Sequence, residues 1–260
     1  MKASLALADL RAFGSKSRVS DLARFYKTGP GEYGEGDLFL GGSVPQTRSV
    51  AKKYQNLELK EVEKLFTSPF HEARLCAAII LNLQFKLAKT SQERKKIFDF
   101  YLKQVRAERV NNWDIVDVSA PWMGVYLLEI DDPMPLLIKL SKSKSLWQRR
   151  VSMILTFALI RAGDLEPTTT IAELLLKDDQ DLIHKAVGWM LREAGKRDVM
   201  FLRRFLREHA HEMPRTMLRY AIEKLPERDF KIAVLAQRWV LLADPSRPSC
   251  LNKRNNHTTQ

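Results

Sequence analysis

The stretch IHKAVGWMLREAG, residues 183–195, has a basic group near its start and then an apolar run, and two other stretches repeat that plan. HEARLCAAIILNL occupies 71–83 and WQRRVSMILTFAL occupies 147–159. Arg74, Arg150, Lys185 and Arg219 mark comparable places, 76, 35 and 34 residues apart, and the first interval has room for two units. Two-helix units recurring every ~34 to 47 residues are typical of stacked helical arrays. The TPR consensus is absent, so a HEAT-like array fits best: an all-α superhelical solenoid of antiparallel helix pairs. Such arrays curve and offer a concave surface, here expected to be basic. A packed helical bundle without repeats is the alternative.

The rest of the chain agrees with an all-α class. Leu59, Val62 and Leu65–Phe66 recur three or four apart, as do Leu202, Phe205 and Leu206, and period-two runs are scarce. The pattern predicts helices over 3–13, 17–27, 45–54, 58–67, 70–88, 91–107, 112–128, 133–141, 145–162, 168–176, 179–194, 197–209, 213–224 and 228–242. Pro69, Pro133 and Pro167 precede helices, and Gly163 and Gly195 sit where helices should end. Residues 1–243 thus read as one repeat domain. The polar, aperiodic stretch 244–260 reads as a disordered tail. Residues 28–44, TGPGEYGEGDLFLGGSV, hold six of the eleven glycines. They form a long loop, either a connector or a segment that faces a substrate.

Lys and Arg number 43 against 31 Asp and Glu, a formal net charge of +12. That balance favours polyanionic partners, either nucleic acid or an anionic membrane surface. The two cysteines, Cys76 and Cys250, are far apart and form no CxxC pair, which fits a reducing compartment. No run of about 18 apolar residues occurs. The opening MKASLALADLRAFG is broken by Asp9 and Arg11 and reads as an amphipathic helix rather than a signal peptide. A cytoplasmic protein is expected, with no membrane association.

The segment most informative about chemistry is VNNWDIVDVSAPW, residues 110–122. On a helix Trp113 and Asp117 lie on one face. Asp114 points elsewhere and suits the positive first turn. An aromatic ring beside a carboxylate can grip a sugar and stabilise a cation. The plainer alternative is a core tryptophan and an Asp117 that only pairs with an arginine. LWQRRVSM adds Trp147, Arg149 and Arg150, and HKAVGWMLRE adds Lys185 and Trp189, again four apart. Arg150 at a helix start suits bidentate phosphate recognition, or an ion pair with Asp117, and the two are compatible. Trp147 reads as core.

Other chemistries lack their residues. HExxH, GxSxG and G-K-[ST] are absent, and neither cysteine has a neighbouring base. The histidines, His71, His184, His209, His211 and His257, make no ligand set, and no metal site or cofactor is expected. His71 and His184 at helix starts read as structural hydrogen-bonding groups.

KTGPGEYGEGDLFLG at 27–41, VNNWDIVD at 110–117, WQRR at 147–150, LIHKAVGWMLREAGKRD at 182–198 and MPRTMLRYAIEKL at 213–225 together resemble the AlkD-like DNA alkylation repair glycosylases. The match covers nearly the whole chain before residue 243. It implies HEAT-like repeats and an enzyme that hydrolyses the N-glycosidic bond of N3- or N7-alkylated purines in duplex DNA. A monomer with no obligate protein partner is expected. In that family's motifs the functional Trp and Asp fall on Trp113 and Asp117, the functional Arg on Arg150, and a second Trp on Trp189. Backbone-binding residues follow the FLG-x-x-x-P loop, which makes Arg48 a DNA-binding candidate beside Arg149 and Lys185. Gly42-Ser43 and Gln46-Thr47 depart from the family's usual pattern. The alternative function is a non-catalytic HEAT-like protein that recognises damaged or branched DNA. A protein-binding helical scaffold is a third reading.

Overall fold

The protein is described by a computed structural model that covers residues 1–225. All regular secondary structure in that span is helical, apart from one isolated bridge between Leu38 and Phe70. The elements are α1 (Ala3–Ala12), α2 (Lys16–Phe25), α3 (Val44–Lys53), α4 (Leu59–Phe66), α5 (His71–Leu87), α6 (Ser91–Arg106) and α7 (Trp113–Met123). A 3-10 helix (Gly124–Glu129) follows, then α8 (Met134–Ser141), α9 (Leu146–Leu155), α10 (Phe157–Ala162), α11 (Glu166–Leu174), α12 (Asp181–Arg197), α13 (Val199–His209) and α14 (Arg215–Ile222). The all-α solenoid expected from the repeats is the observed architecture. α3, α5, α7, α9, α12 and α14 pack side by side in that order, and α4, α6, α8, α11 and α13 back them as a second layer. The buried apolar side chains form one continuous core from Ala3 to Ile222. Trp147 belongs to it, at 7% exposure. So does Cys76 of α5, whose thiol is fully buried.

Three short polar residues start three of the helices that carry the site. Ser43 opens α3 through a reciprocal pair with Gln46: the Gln46 amide donates to Ser43 Oγ, and Gln46 Oε1 accepts from the Ser43 amide. Asn112 opens α7, its Oδ1 accepting from the Trp113 amide at 2.8 Å. Ser145 opens α9 by accepting from the Gln148 amide.

Three helix boundaries differ from the sequence expectation. The predicted helix 112–128 stops at Met123 and continues as a 3-10 turn. Pro121 removes one amide donor from the last turn of α7. At Gly124 the chain passes so close to α9 that a Cβ would lie 2.3 Å from the Leu155 carbonyl oxygen. The predicted helix 145–162 is divided at Thr156, whose amide and hydroxyl both donate to the Met153 carbonyl, three residues back. Gly163 ends α10 in the left-handed region at φ +93°. Gly195, by contrast, lies inside α12, and Leu202 of α13 fills the space its Cβ would take, at 2.4 Å. The predicted helix 228–242 and the tail 244–260 lie outside the described residues.

Gly188 of α12 meets α14 backbone to backbone, and a Cβ there would sit 2.5 Å from the Met217 carbonyl oxygen. Helix propensity alone would reward Gly188→Ala by about 1 kcal/mol. The clash is expected to outweigh that gain and destabilise the protein by roughly 1–3 kcal/mol in urea unfolding. A variant as stable as wild type would mean that α12 and α14 are not this close.

Candidate functional site

The cap at Asn112 points the first two turns of α7 across the face of the helix row, so Trp113 and Asp117 both line a cleft of about 600 Å³. Arg150 of α9 and Lys185 and Trp189 of α12 line the same cleft. Five of the seven residues singled out from the sequence therefore converge at one place. Trp113 is held from two sides: Tyr26 stacks on it at 5.6 Å between ring centres, and Phe25 meets it edge-on at 5.9 Å. Trp189 is backed by Phe157 at 6.2 Å. The space between is bounded by ring faces and by the carboxylates of Asp117 and Asp181.

Arg150 fixes that carboxylate. Its Nε donates to Asp117 Oδ1 at 3.0 Å, and its Nη2 donates to both Asp117 oxygens at 2.8 Å. Nη1 donates to the Leu182 carbonyl oxygen, so one guanidinium ties α7, α9 and α12 together. The Arg150 side chain is 5% exposed, while that of Asp117 keeps 23% exposure towards the cleft. Burial holds the Asp117 carboxyl above its ordinary value, and the charge and hydrogen bonds of Arg150 only partly offset it. Both plainer alternatives from the sequence thus hold in part: Asp117 pairs with an arginine, and Trp113 packs on its neighbours while still lining the cleft.

A second cleft, of about 490 Å³, lies on the other side of α7 and shares Trp113 and Asp117 with the first. Arg48 of α3 and Lys86 of α5 line it, with Lys86 Nζ 3.6 Å from the ring centre of Trp122. Around both clefts Lys27, Arg48, Lys86, Arg150, Lys185 and Arg192 face three aspartates, 114, 117 and 181, so the row of helices is cationic here. Arg149 is not part of it. Its guanidinium pairs with Asp178 at 2.6 Å and donates to the Ser143 and Lys144 carbonyls, bracing the loop before α9. Arg149 thus lies outside both clefts, tied to the loop before α9.

Several lining residues escaped the sequence reading. Phe25, Lys27, Tyr33 and Tyr220 reach the first cleft, and Lys86 and Trp122 the second. Their only signal was aromatic or basic identity, which spacing cannot tell from surface decoration. Tyr33 comes from the glycine-rich segment 28–44, so that segment faces the cleft. It is pinned there: Glu72 accepts from the amides of Leu40 and Gly41, and Arg74 pairs with Asp37. His71 is buried between Asp37 and Asp114, and the hydroxyl of Tyr26 donates to Asp114 at 2.9 Å. His184 instead contacts the Asp178 carbonyl. Among the described residues no group of three or more His, Cys, Asp and Glu side chains could hold a metal ion, and no helix is long and apolar enough to cross a membrane.

A family model described as DNA alkylation repair enzyme matches residues 6–225. Among solved structures, one described as a predicted DNA alkylation repair enzyme from Enterococcus faecalis is similar in fold. It aligns with a TM-score of 0.65 at 15% identity, over 82% of this chain and 97% of that one. No curated protein matches the sequence.

Burial alone would push the His71 imidazole down. The charge of Asp114 and the hydrogen bonds to Asp114 and Asp37 outweigh it and raise the pKa from 6.5 to about 9. A group raised in the folded state adds stability that is complete below the unfolded value and is lost as pH climbs through the folded one, about 3 kcal/mol for this shift. Urea unfolding is therefore expected to show wild type losing about that much more stability between pH 6.5 and 9.5 than His71→Gln loses. Parallel losses in both proteins would mean that the imidazole carries no such shift.

Proposed function

The chain belongs to the family of DNA alkylation repair enzymes, and from that premise we propose that it is a DNA glycosylase that removes cationic N3- or N7-alkylated purines from duplex DNA. One observation carries this reading: an arginine-held carboxylate, Asp117, opens into a cleft bounded by the rings of Trp113 and Trp189.

Alkylation at N3 or N7 leaves the purine positively charged. When the glycosidic bond breaks, its electron pair goes to the base, which departs neutral, so no acid is needed to protonate the leaving group. The deoxyribose takes on oxocarbenium character, as in glycoside hydrolysis. Asp117 stabilises that charge from within the cleft. A water molecule adds to C1′, and Asp117 orients it and can accept its proton. Trp113 and Trp189 hold the sugar, and their ring faces favour a nearby cation. Arg150 directs Asp117 and opposes the effect of burial on its carboxyl, and offers charge to an adjacent phosphate. Arg48 and Lys185 supply salt-sensitive attraction to the backbone.

The closed Asp117–Arg150 pair also supports a second reading. A carboxylate already satisfied on both oxygens suits a non-catalytic protein that only binds damaged DNA. Release of 7-methylguanine from methylated duplex by the purified protein separates the two. Tight binding without release leaves the binding protein.

If the enzyme reading is right, Asp117→Asn, which keeps one acceptor for Arg150, should slow single-turnover excision by about 10² to 10³-fold. Its affinity for duplex DNA should stay within a few-fold of wild type, and equal losses of binding and excision would make Asp117 structural. Arg48→Ala should lower affinity for damaged and undamaged duplex alike and reduce the slope of log K against log salt by about one. An unchanged slope would remove Arg48 from the DNA contacts.

A further inference from the structure

We propose that His71 is a positioning residue of this site: held as an imidazolium between Asp37 and Asp114, it locks the glycine-rich segment to the head of α7 and so sets the ring of Trp113 beside Asp117. The proposal deepens the glycosylase reading, and its link to excision rests on that reading.

The hydrogen-bond inventory makes the first half of the case. Nδ1 of His71 lies 3.3 Å from Asp37 Oδ2, and Nε2 lies 2.9 Å from Asp114 Oδ2. An ionised carboxylate only accepts, and a neutral imidazole has a single N–H. A neutral ring would set one lone pair against another. Every other contact to these carboxylates also donates. Asp37 receives Arg74 Nη2 and Asn112 Nδ2, and Asp114 receives the Ile115 amide and the Tyr26 hydroxyl. A ring protonated on both nitrogens gives each of these carboxylates a donor at every contact.

The charge balance agrees. Asp37 and Asp114 are balanced by Arg74 and His71, and a neutral imidazole would leave a net negative charge in the interior, which is costly. The other ionisable groups near the ring are occupied elsewhere. Glu72 is turned to the amides of Leu40 and Gly41, and Asp117 is turned to Arg150. The ring also packs on Tyr26 and Phe39, with centres 4.5 Å and 5.1 Å away, faces that favour a cation.

The second half is a matter of where the cluster acts. Asp114 follows Trp113 in sequence, and Tyr26, which donates to Asp114, is the ring stacked on Trp113. His71 therefore fixes Trp113 through both its backbone neighbour and its stacking partner. Packed apolar side chains would stabilise this junction at least as well as buried charges. What directed charge adds is a fixed orientation.

The test uses the full chain. In nitrogen-15 spectra the ring of His71, assigned by through-bond correlation to its own backbone, should show both nitrogens protonated at pH 7.5. The indole N–H signal of Trp113 should shift on the same titration curve as the ring. In His71→Gln that indole signal should no longer shift over this pH range. Excision by the variant at pH 7.5 should fall at least about tenfold, since small misplacements of catalytic groups cost such factors, with duplex affinity within about threefold. A neutral ring at pH 7.5, a Trp113 signal that ignores the ring's titration, or full excision by His71→Gln would each overturn the proposal. If wild type releases no base at all, the glycosylase reading fails, while the two spectra still decide whether His71 positions Trp113. If the variant does not fold, the wild-type spectra decide alone.

Discussion

One guanidinium holds this molecule's chemistry in place. Arg150 is almost wholly removed from water, and so is most of the carboxylate it grips. A buried charge without a partner is expensive, so each member of the pair confines the other. The arginine also reaches the backbone at Leu182, and three successive helices of the inner row are drawn to one point. Because helix α7 cannot slide without opening this contact, the direction of Asp117 is inherited from the packing of the whole array. A carboxylate free to rotate at the end of a surface helix would have no such constraint.

Around that contact the structure spends polar groups in an unusual place. Interiors of helical arrays are mostly apolar, and here Asp37, His71, Arg74, Asn112 and Asp114 are gathered under the glycine-rich segment. The segment has no regular structure of its own beyond one bridge to Phe70. Its fixed course depends on side chains that reach it from α5 and α7. Loops placed this way can shape a cleft with backbone and aromatic rings while the helices behind them supply rigidity.

The sequence made the fold legible because helical repeats are local: basic starts and apolar runs recur at a fixed spacing, and each helix can be read without its partners. The boundary errors have the opposite character. Whether Gly195 ends a helix or lets Leu202 approach depends on α13, and whether α7 continues past Met123 depends on the Leu155 carbonyl of α9. Trp113, Asp117, Arg150, Lys185 and Trp189 were visible because they sit four apart or repeat a motif. Arg149 shares the chemistry of its neighbour Arg150, and only the geometry shows that Asp178 pairs with it outside the clefts. Tyr33, Lys86 and Trp122 carry no spacing that links them to Asp117, so their part in the clefts appears only in three dimensions.

Cys76 draws a last consequence from the packing of α5. Electrophiles that methylate nucleic acid also attack thiolates. Burial removes Cys76 from contact with solvent and pushes its thiol up to about 12, so almost none of it is in the nucleophilic form at neutral pH. The sulfur that could have scavenged the damaging agent is thereby kept inert, and the helix that contributes His71 and Arg74 is shielded from covalent injury at its centre.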